Sequence, residues 1–193
     1  MIITGIDIGL FNLGLVLVDL CDDTFTINKV IACERVNIKS LLTNCGCKEF
    51  QHRLCIADYT KHLFRDYSNY FKDSKYILVE RQPPAGFLSI QDLITFEYGE
   101  KVHLIQPQSV HKFLSFGTIG YEQRKEMSER YVEKYLGSIQ TYTREKRRHD
   151  MADAMCLILF YVEHLKNKKF EEERREFELE NYTSFEQFRY IPN

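Results

Sequence analysis

Three apolar segments of this 193-residue chain each contain or end in a carboxylate. Asp7 lies in the first (IITGIDIG, residues 2–9), Glu80 closes the second (YILVE, residues 76–80), and Asp150 and Asp153 open the third (HDMADAMCLILF, residues 149–160). A spacing of three residues places the last two acids on one helix face. An unpaired charge beside apolar segments is costly to bury, so these acids need cationic partners. The fold must supply them.

The apolar pattern predicts five strands separated by helices. Strands are expected at residues 2–9, 13–19, 24–33, 76–80 and 102–106, and helices at residues 48–72, 87–98, 108–115, 121–136 and 147–166. The first three strands follow one another across short turns, which is typical of antiparallel pairing. The order βββαβαβα therefore predicts an α/β fold, with a mixed five-stranded sheet flanked by helices.

The length suits one domain, expected over residues 1–166, with a charged C-terminal extension over residues 167–193. The net charge of -2 hides an uneven distribution. Residues 101–149 carry ten Lys or Arg against five Glu, whereas the extension carries five basic and seven acidic residues. A basic segment diluted by an acidic extension remains compatible with a nucleic-acid partner.

Apolar runs of about 18 residues, which would indicate a membrane span, do not occur in the sequence, and its start does not resemble a signal peptide. We therefore expect an intracellular protein without a membrane partner. Six cysteines show no even framework and are expected to be free thiols. The group Cys45, Cys47, His52 and Cys55 has zinc-binding residue types, but its spacing is unusual for a zinc site.

Taken one at a time, these acids are typical of helix caps and ion pairs. Together, Asp7, Glu80, Asp150 and Asp153 would make an oxygen cage suited to hard divalent cations. Two such ions about 3.5 to 4 Å apart can activate water and stabilise the leaving oxygen in phosphodiester hydrolysis. The sequence therefore predicts a carboxylate metal centre.

The segments GIDIG (residues 5–9, with Asn12 and Gly14 behind them), VERQ (residues 79–82) and HDMADA (residues 149–154) resemble three acidic motifs of a known enzyme family. They are similar to those of RuvC-type Holliday junction resolvases, in the version found in poxviruses, related large DNA viruses and fungal mitochondria. The similarity covers roughly residues 1–166, in the same order and spacing. The extension is not part of the pattern.

This resemblance implies an RNase H-like fold, a homodimer, and symmetric nicking of four-way or branched DNA in recombination or in processing of viral genome concatemers. It implies magnesium or manganese, with two ions per site and no small-molecule cofactor. It transfers metal-ligand and catalytic roles to Asp7, Glu80, Asp150 and Asp153. A chain start without an Arg-rich, acid-poor leader favours a viral enzyme over an imported mitochondrial one, and hence the host cytoplasm where viral DNA replicates.

The family resemblance also implies a catalytic lysine on the helix before the last motif. Lys125 is the preferred candidate because a single cation near the start of that helix can hold a scissile phosphate. Lys112 is the alternative, and both residues are also compatible with a solvated surface.

Several residues near the acids are candidate DNA contacts. Arg144, Lys146, Arg147 and Arg148 lead into the last motif and could bind phosphates, although such charge runs are commonly solvated helix starts. Arg81 and Gln82 adjoin Glu80. Phe87 could insert between bases as a wedge, but packing in the core is the commoner fate of such a residue. His149 could assist metal binding or proton transfer, or only orient the neighbouring acids.

Other functions share some of these features. A ribonuclease H or a transposase-like domain would use the same acids. A sugar-kinase or actin-like ATPase also opens on an Asp-x-Gly hairpin, but Leu10 and Phe11 stand where small residues would hold a phosphate, and the chain is short for two lobes. A noncatalytic DNA-binding module would have little use for four buried carboxylates.

Overall fold

The computed structural model describes residues 1–43, 45 and 53–187, and it contains a five-stranded sheet. The strands are β1 (Ile2–Asp7), β2 (Leu13–Leu20), β3 (Ile27–Val36), β4 (Tyr76–Glu80) and β5 (Val102–Ile105), in the spatial order β3-β2-β1-β4-β5. β2 pairs antiparallel with β1 and β3, whereas β4 runs parallel to β1 and β5. The predicted mixed sheet, with its first three strands antiparallel, is confirmed.

Eight helices occur in the described part of the chain. They are α1 (Ser40–Thr43), α2 (Ile56–Asp66), α3 (Ser68–Lys72), α4 (Leu88–Tyr98), α5 (Pro107–Phe113), α6 (Tyr121–Leu136), α7 (Gln140–Arg144) and α8 (His149–Gln187), with a 3-10 turn (Gly99–Lys101) before β5. Within the described ranges, no helix combines the length and apolar content needed to cross a bilayer.

Apolar side chains fill both faces of the sheet, because successive strand residues point to opposite sides. On one face, Leu78 joins a core formed with α6 and the buried side of α8. On the other, Ile77 and Val79 pack with residues of α2, α3 and α4. The central strand β4 is therefore covered on both faces, as its continuous apolar sequence predicted.

Two glycines let α8 approach the sheet closely. A Cβ on Gly5 would overlap the carbonyl oxygen of Ala154, and one on Gly14 would overlap that of Asp150. Side chains at these two positions would push the first turns of α8 away from β1 and β2. The bare backbone of these strands thus determines where the acids of α8 lie relative to Asp7.

Two predicted elements differ from the structure in their bounds. The helix expected over residues 48–72 is confirmed only from Ile56 on and is divided into α2 and α3; before it, Leu54 is 68% exposed with a positive φ of 55°. Residues 48–52 lie outside the described residues. β3 is shifted three residues towards the C-terminus of its predicted span, and the sequence reasoning missed the short helices α1 and α7.

The helix predicted to end at residue 166 continues unbroken to Gln187, so the expected domain boundary falls inside α8. Burial nevertheless changes there: Tyr161 and Val162 are buried, whereas residues 166–176 are exposed. Lys169 Nζ donates a hydrogen bond to the Asp23 carbonyl in the β2–β3 turn at 2.8 Å. The extension is a helical continuation held to the sheet domain at its base.

Cys21, Cys33, Cys55 and Cys156 are free thiols, as predicted. Of the four candidate zinc ligands, Cys47 and His52 lie outside the described residues. Cys45 is partly buried and Cys55 is exposed.

Candidate active site

Asp7 and Glu80 are brought side by side by strand pairing. β1 and β4 are parallel neighbours, with Ile6 opposite Val79, so the next residue of each strand lies at the same sheet edge. The two carboxyl groups are close enough to affect each other: Glu80 contributes to the raised pKa of Asp7, whereas Asp7 lowers the pKa of Glu80.

Helices α8 and α6 add Asp153 and Lys125 to this edge. The Lys125 ammonium donates to Asp153 Oδ2 in an ion pair, and both side chains are mostly shielded from solvent. Burial alone would lower the pKa of Lys125, but the carboxylates of Asp153 and Asp7 outweigh it and raise the pKa. Lys125 therefore stays charged, and its cation faces the acids of three different elements.

The acids at this edge repel one another. Burial, followed by the charges of Asp153 and Glu80, raises the pKa of Asp7 well above its usual range. Burial also raises the pKa of Glu80. The neighbouring Asp7 carboxyl opposes this rise, and the charge of Asp153 reinforces it. Three carboxylates around one lysine leave an excess of negative charge in a partly desolvated site.

Asp150 lies deeper, at 4% exposure. Its Oδ2 accepts a hydrogen bond from Arg147 Nε at 2.8 Å. His149 Nε2 lies 3.5 Å from Asp150 Oδ1 but is not aligned for a hydrogen bond. Burial lowers the pKa of His149, although Asp150 acts in the opposite direction. Asp150 is therefore the acid of the four that has an arginine as its cationic partner.

A cleft of about 170 Å³ opens on this cluster. Glu80, Lys125 and Asp153 line it, with α5 and α6 forming its walls. Four further polar residues of the lining were missed by sequence reasoning: His111, Tyr121, Arg124 and Ser128. Tyr121 stands four residues before Lys125 and Ser128 three after it, so the helical period could have indicated these two. Arg124 is adjacent to Lys125 and is not indicated by that period. His111, whose pKa is lowered first by burial and then by Arg124, has no such signal.

The donor set is suited to hard cations in its chemistry, since carboxylate oxygens are the ligands that Mg²⁺ and Mn²⁺ prefer. Burial first, and then the charge of Asp153, raises the pKa of Asp7 and of Glu80, and a bound cation would offset both effects. Within the part of the chain that the structure describes, however, no three Asp, Glu, His or Cys side chains already surround one point as a metal-binding group. Ion binding therefore requires the acids to adjust their contacts with Lys125 and Arg147.

The basic segment before α8 divides into two pairs. Arg144 ends α7 and is exposed, as is Lys146, so both side chains are available to a ligand. Arg147 contacts Asp150, and Arg148 Nη2 donates to Glu129 Oε2 at 3.0 Å. Arg148 also lies 5.4 Å from the centroid of the buried Tyr142 ring. The segment links two helices and is not itself a helix start.

Four other candidate DNA contacts have different surroundings. Arg81 and Lys112 are exposed, and Lys112 lies outside the lining of the cleft. Gln82 is used within its own loop, where its Oε1 accepts from the Phe87 backbone N–H at 3.3 Å. Phe87 is half-buried and packs against the core on the α2–α4 face. Of the two candidate lysines, the structure brings Lys125 to the acids.

The sequence matches no known family model, and no curated protein matches it. Solved structures do resemble it. Fowlpox virus resolvase in complex with Holliday junction DNA has a TM-score of 0.61 at 21% identity, over 86% of this chain and 99% of that one. Thermus thermophilus RuvC with a Holliday junction substrate has a TM-score of 0.53 at 18% identity, over 86% and 98% of the two chains.

The yeast mitochondrial Holliday junction resolvase Ydc2 is similar as well, with a TM-score of 0.56 at 17% identity over 87% of this chain and 85% of that one. Each of the three chains is covered almost completely, so the likeness extends over the whole domain and not over one motif. At these identities the likeness establishes architecture. The chain has the RNase H-like fold of the RuvC-type Holliday junction resolvases.

Proposed function

We propose that the protein is a divalent-metal-dependent endonuclease that resolves four-way DNA junctions by paired, symmetric nicks. The observation that carries this proposal is the convergence of Asp7, Glu80, Asp153 and Lys125 at one sheet edge, in an open cleft. The likeness to three solved resolvases supports it.

The reaction is hydrolysis of a phosphodiester: a water oxygen bonds to phosphorus, the bond to the leaving oxygen breaks, and that oxygen takes a proton. Two Mg²⁺ or Mn²⁺ ions would supply water activation and charge stabilisation. Asp7, Glu80, Asp150 and Asp153 would hold them. Lys125 would place its ammonium against the charge that develops on the phosphate, and Asp153 orients that ammonium.

A branched DNA substrate accounts for the distribution of positive charge. Arg144 and Lys146 lie on the segment that leads into α8 and are exposed, so they can bind phosphates beside the acids. The Fowlpox virus and T. thermophilus structures each contain Holliday junction DNA, and we propose the same substrate class here.

We further propose a homodimer, because the described part of the chain carries one cluster of these acids and junction resolution needs two nicks on opposite strands. A twofold dimer supplies two equivalent sites. Light scattering of the protein with and without junction DNA would measure its mass. A monomer that still makes paired nicks would contradict this part of the proposal.

The decisive experiment compares cleavage of a labelled four-way junction with that of duplex, flap and RNA/DNA hybrid substrates in Mg²⁺. We expect the junction to be cut fastest, by symmetric nicks. Preferential cutting of the hybrid would instead indicate a ribonuclease H activity of the same acids. No cleavage of any substrate in Mg²⁺ or Mn²⁺ would overturn the proposal.

A further inference from the structure

We propose that Phe11 and Lys39 form a nucleobase platform that receives an unstacked base at the branch point of the DNA. The inference rests on the proposed function and deepens it, because it assigns the preference for branched DNA to a place on the molecule. The platform lies on the turn between β1 and β2 and on the segment after β3.

Phe11 lies in the turn that begins at the sheet edge carrying the acids. Asp7 and Gly14 pair at the end of the β1–β2 ladder, so the turn between them begins where β1 ends. Four residues separate Asp7 from Phe11, a distance of at most about 14 Å along an extended chain. A nucleotide at the cleft and a base on Phe11 can therefore belong to the same DNA molecule.

The ring of Phe11 is available, unlike that of Phe87. Phe11 is 51% exposed, whereas its neighbour Leu10 packs against the core. Phe87, expected as a possible wedge, is itself packed against that core. Aromatic faces in a basic setting bind unpaired bases because every base has a face that can stack.

The turn that carries Phe11 is anchored. Arg35 Nη1 donates to Asn12 Oδ1 at 2.6 Å, and Arg35 Nε pairs with Glu145 Oε2 at 3.2 Å. These contacts tie the turn to β3 and to the segment before α8. The backbone of the turn is therefore held in place before DNA binds, which lowers the entropy cost of bringing the ring to a base.

The charge around the ring matches a nucleotide. Lys39 Nζ lies 5.6 Å from the centroid of the Phe11 ring, and Lys39 is exposed, whereas the guanidinium of Arg35 is already paired with Glu145. A stacked base brings its own phosphate, which Lys39 can neutralise. An apolar protein partner would gain nothing from this cation. In duplex DNA the bases are already stacked, so the platform selects DNA with an open base.

The test uses four-way junctions with 5-iodouracil either at the branch point or in the middle of an arm, bound in Ca²⁺ and irradiated. We expect crosslinks to the peptide containing Phe11 from the branch-point position only. Phe11→Ala should lose them and reduce the junction-over-duplex binding ratio about tenfold or more, whereas Phe11→Tyr should keep the ratio, because stacking survives in Tyr. Lys39→Ala should weaken junction binding at low salt.

Phe170→Ala is the matched control. Phe170 is also exposed, at 66%, but it lies 21 residues beyond His149 on the same helix, about 30 Å from the first turn of α8. Its substitution should leave the binding ratio unchanged. The platform proposal is overturned if wild type and Phe11→Ala have equal junction-over-duplex binding ratios, or if crosslinks form only to other peptides. It is also overturned if Phe11→Ala changes only the mass of the oligomer.

The outcome is separable from that of the proposed function. If wild type cuts junctions selectively and Phe11→Ala does so equally well, only the platform proposal is overturned. A wild-type protein that cuts no junction overturns the endonuclease proposal. In that case the Phe11 crosslink to an unpaired base in flap DNA still decides whether the platform exists.

Discussion

Gly14 of β2 lies directly against the backbone carbonyl of Asp150, the second residue of α8. Strand and helix can approach this closely because position 14 has no side chain. The contact places the start of α8 beside the end of β1, where Asp7 lies. A residue without functional groups thus controls the geometry of the candidate active site.

Gly14→Ala should therefore destabilise the protein and disturb the site together. The added methyl group overlaps backbone atoms that cannot rotate away, and overpacking of this kind costs about 1–3 kcal/mol of folding free energy. Denaturant unfolding would measure the loss. Gly120→Ala is the control, because its Cβ would find no atom closer than 3.9 Å. Equal stability of the two variants would show that α8 can shift without cost.

Lys125→Ala should slow single-turnover cleavage of a junction by about 100-fold or more while changing affinity little, because a cation at the scissile phosphate acts mainly on the transition state. Lys112→Ala should have a much smaller effect, since Lys112 lies outside the cleft lining. The reverse order of the two rates would transfer the catalytic role to Lys112.

Substitution of any one acid, as Asp7→Asn, Glu80→Gln, Asp150→Asn or Asp153→Asn, should nearly abolish cleavage and leave junction binding intact or stronger. Each amide keeps the shape of the side chain but removes its negative charge. Cleavage is lost because that charge holds the metal ions, and binding is kept because the same charge repels phosphate. Gel-shift affinity in Ca²⁺ and single-turnover rates in Mg²⁺ would separate the two effects. Near wild-type cutting by an Asp7 or Glu80 variant would show that these carboxylates are structural.

The metal-free protein should become less stable as the pH rises. The pKa of Asp7 is raised in the folded state, so ionising this carboxyl group costs folding free energy. The cost is absent below about pH 4, where Asp7 is protonated in the unfolded chain as well. It is complete above the folded-state pKa. In EDTA at pH 8, Asp7→Asn should therefore melt above wild type. Mg²⁺ should raise the Tm of wild type more than that of the variant. A variant that melts below wild type in EDTA would contradict this assignment.

Junction affinity should fall steeply between roughly 50 and 200 mM salt, because each phosphate contact releases counterions. Arg144→Ala and Lys146→Ala should each reduce the slope of log affinity against log salt by about 0.9. Arg148→Ala should instead lower the Tm, since Arg148 is engaged with Glu129 and Tyr142. An unchanged slope in the double variant of Arg144 and Lys146 would remove this segment from the DNA interface.

Local sequence patterns predicted the sheet well. β4 was expected at residues 76–80 and occurs there, because a short, β-branched apolar run that ends in a charge has few alternatives. The acids of β1, β4 and α8 were likewise identifiable as a group. Their positions relative to strand ends and helix turns are local properties, and the local pattern carries them.

Boundaries and surface exposure were less predictable. α8 continues 21 residues beyond its expected end because helix-prone charged residues need no core to remain helical, and the apolar stripe expected over residues 48–72 did not reveal the break before α2. Phe87 and Phe11 look equally apolar in the sequence. Which of the two rings packs in the core depends on which helices cover it in the tertiary structure.

Sequence alone thus predicted which segments form the strands, the set of candidate acids and their chemical preference for hard cations. Only the tertiary structure decided that Lys125 rather than Lys112 meets Asp153, that Arg147 partners Asp150, and that Phe11 stays exposed at the acidic edge. The reason is physical. Backbone periodicity acts over a few residues, whereas the partner of a buried charge is set by how α6 and α8 pack across the sheet from segments far apart in the chain.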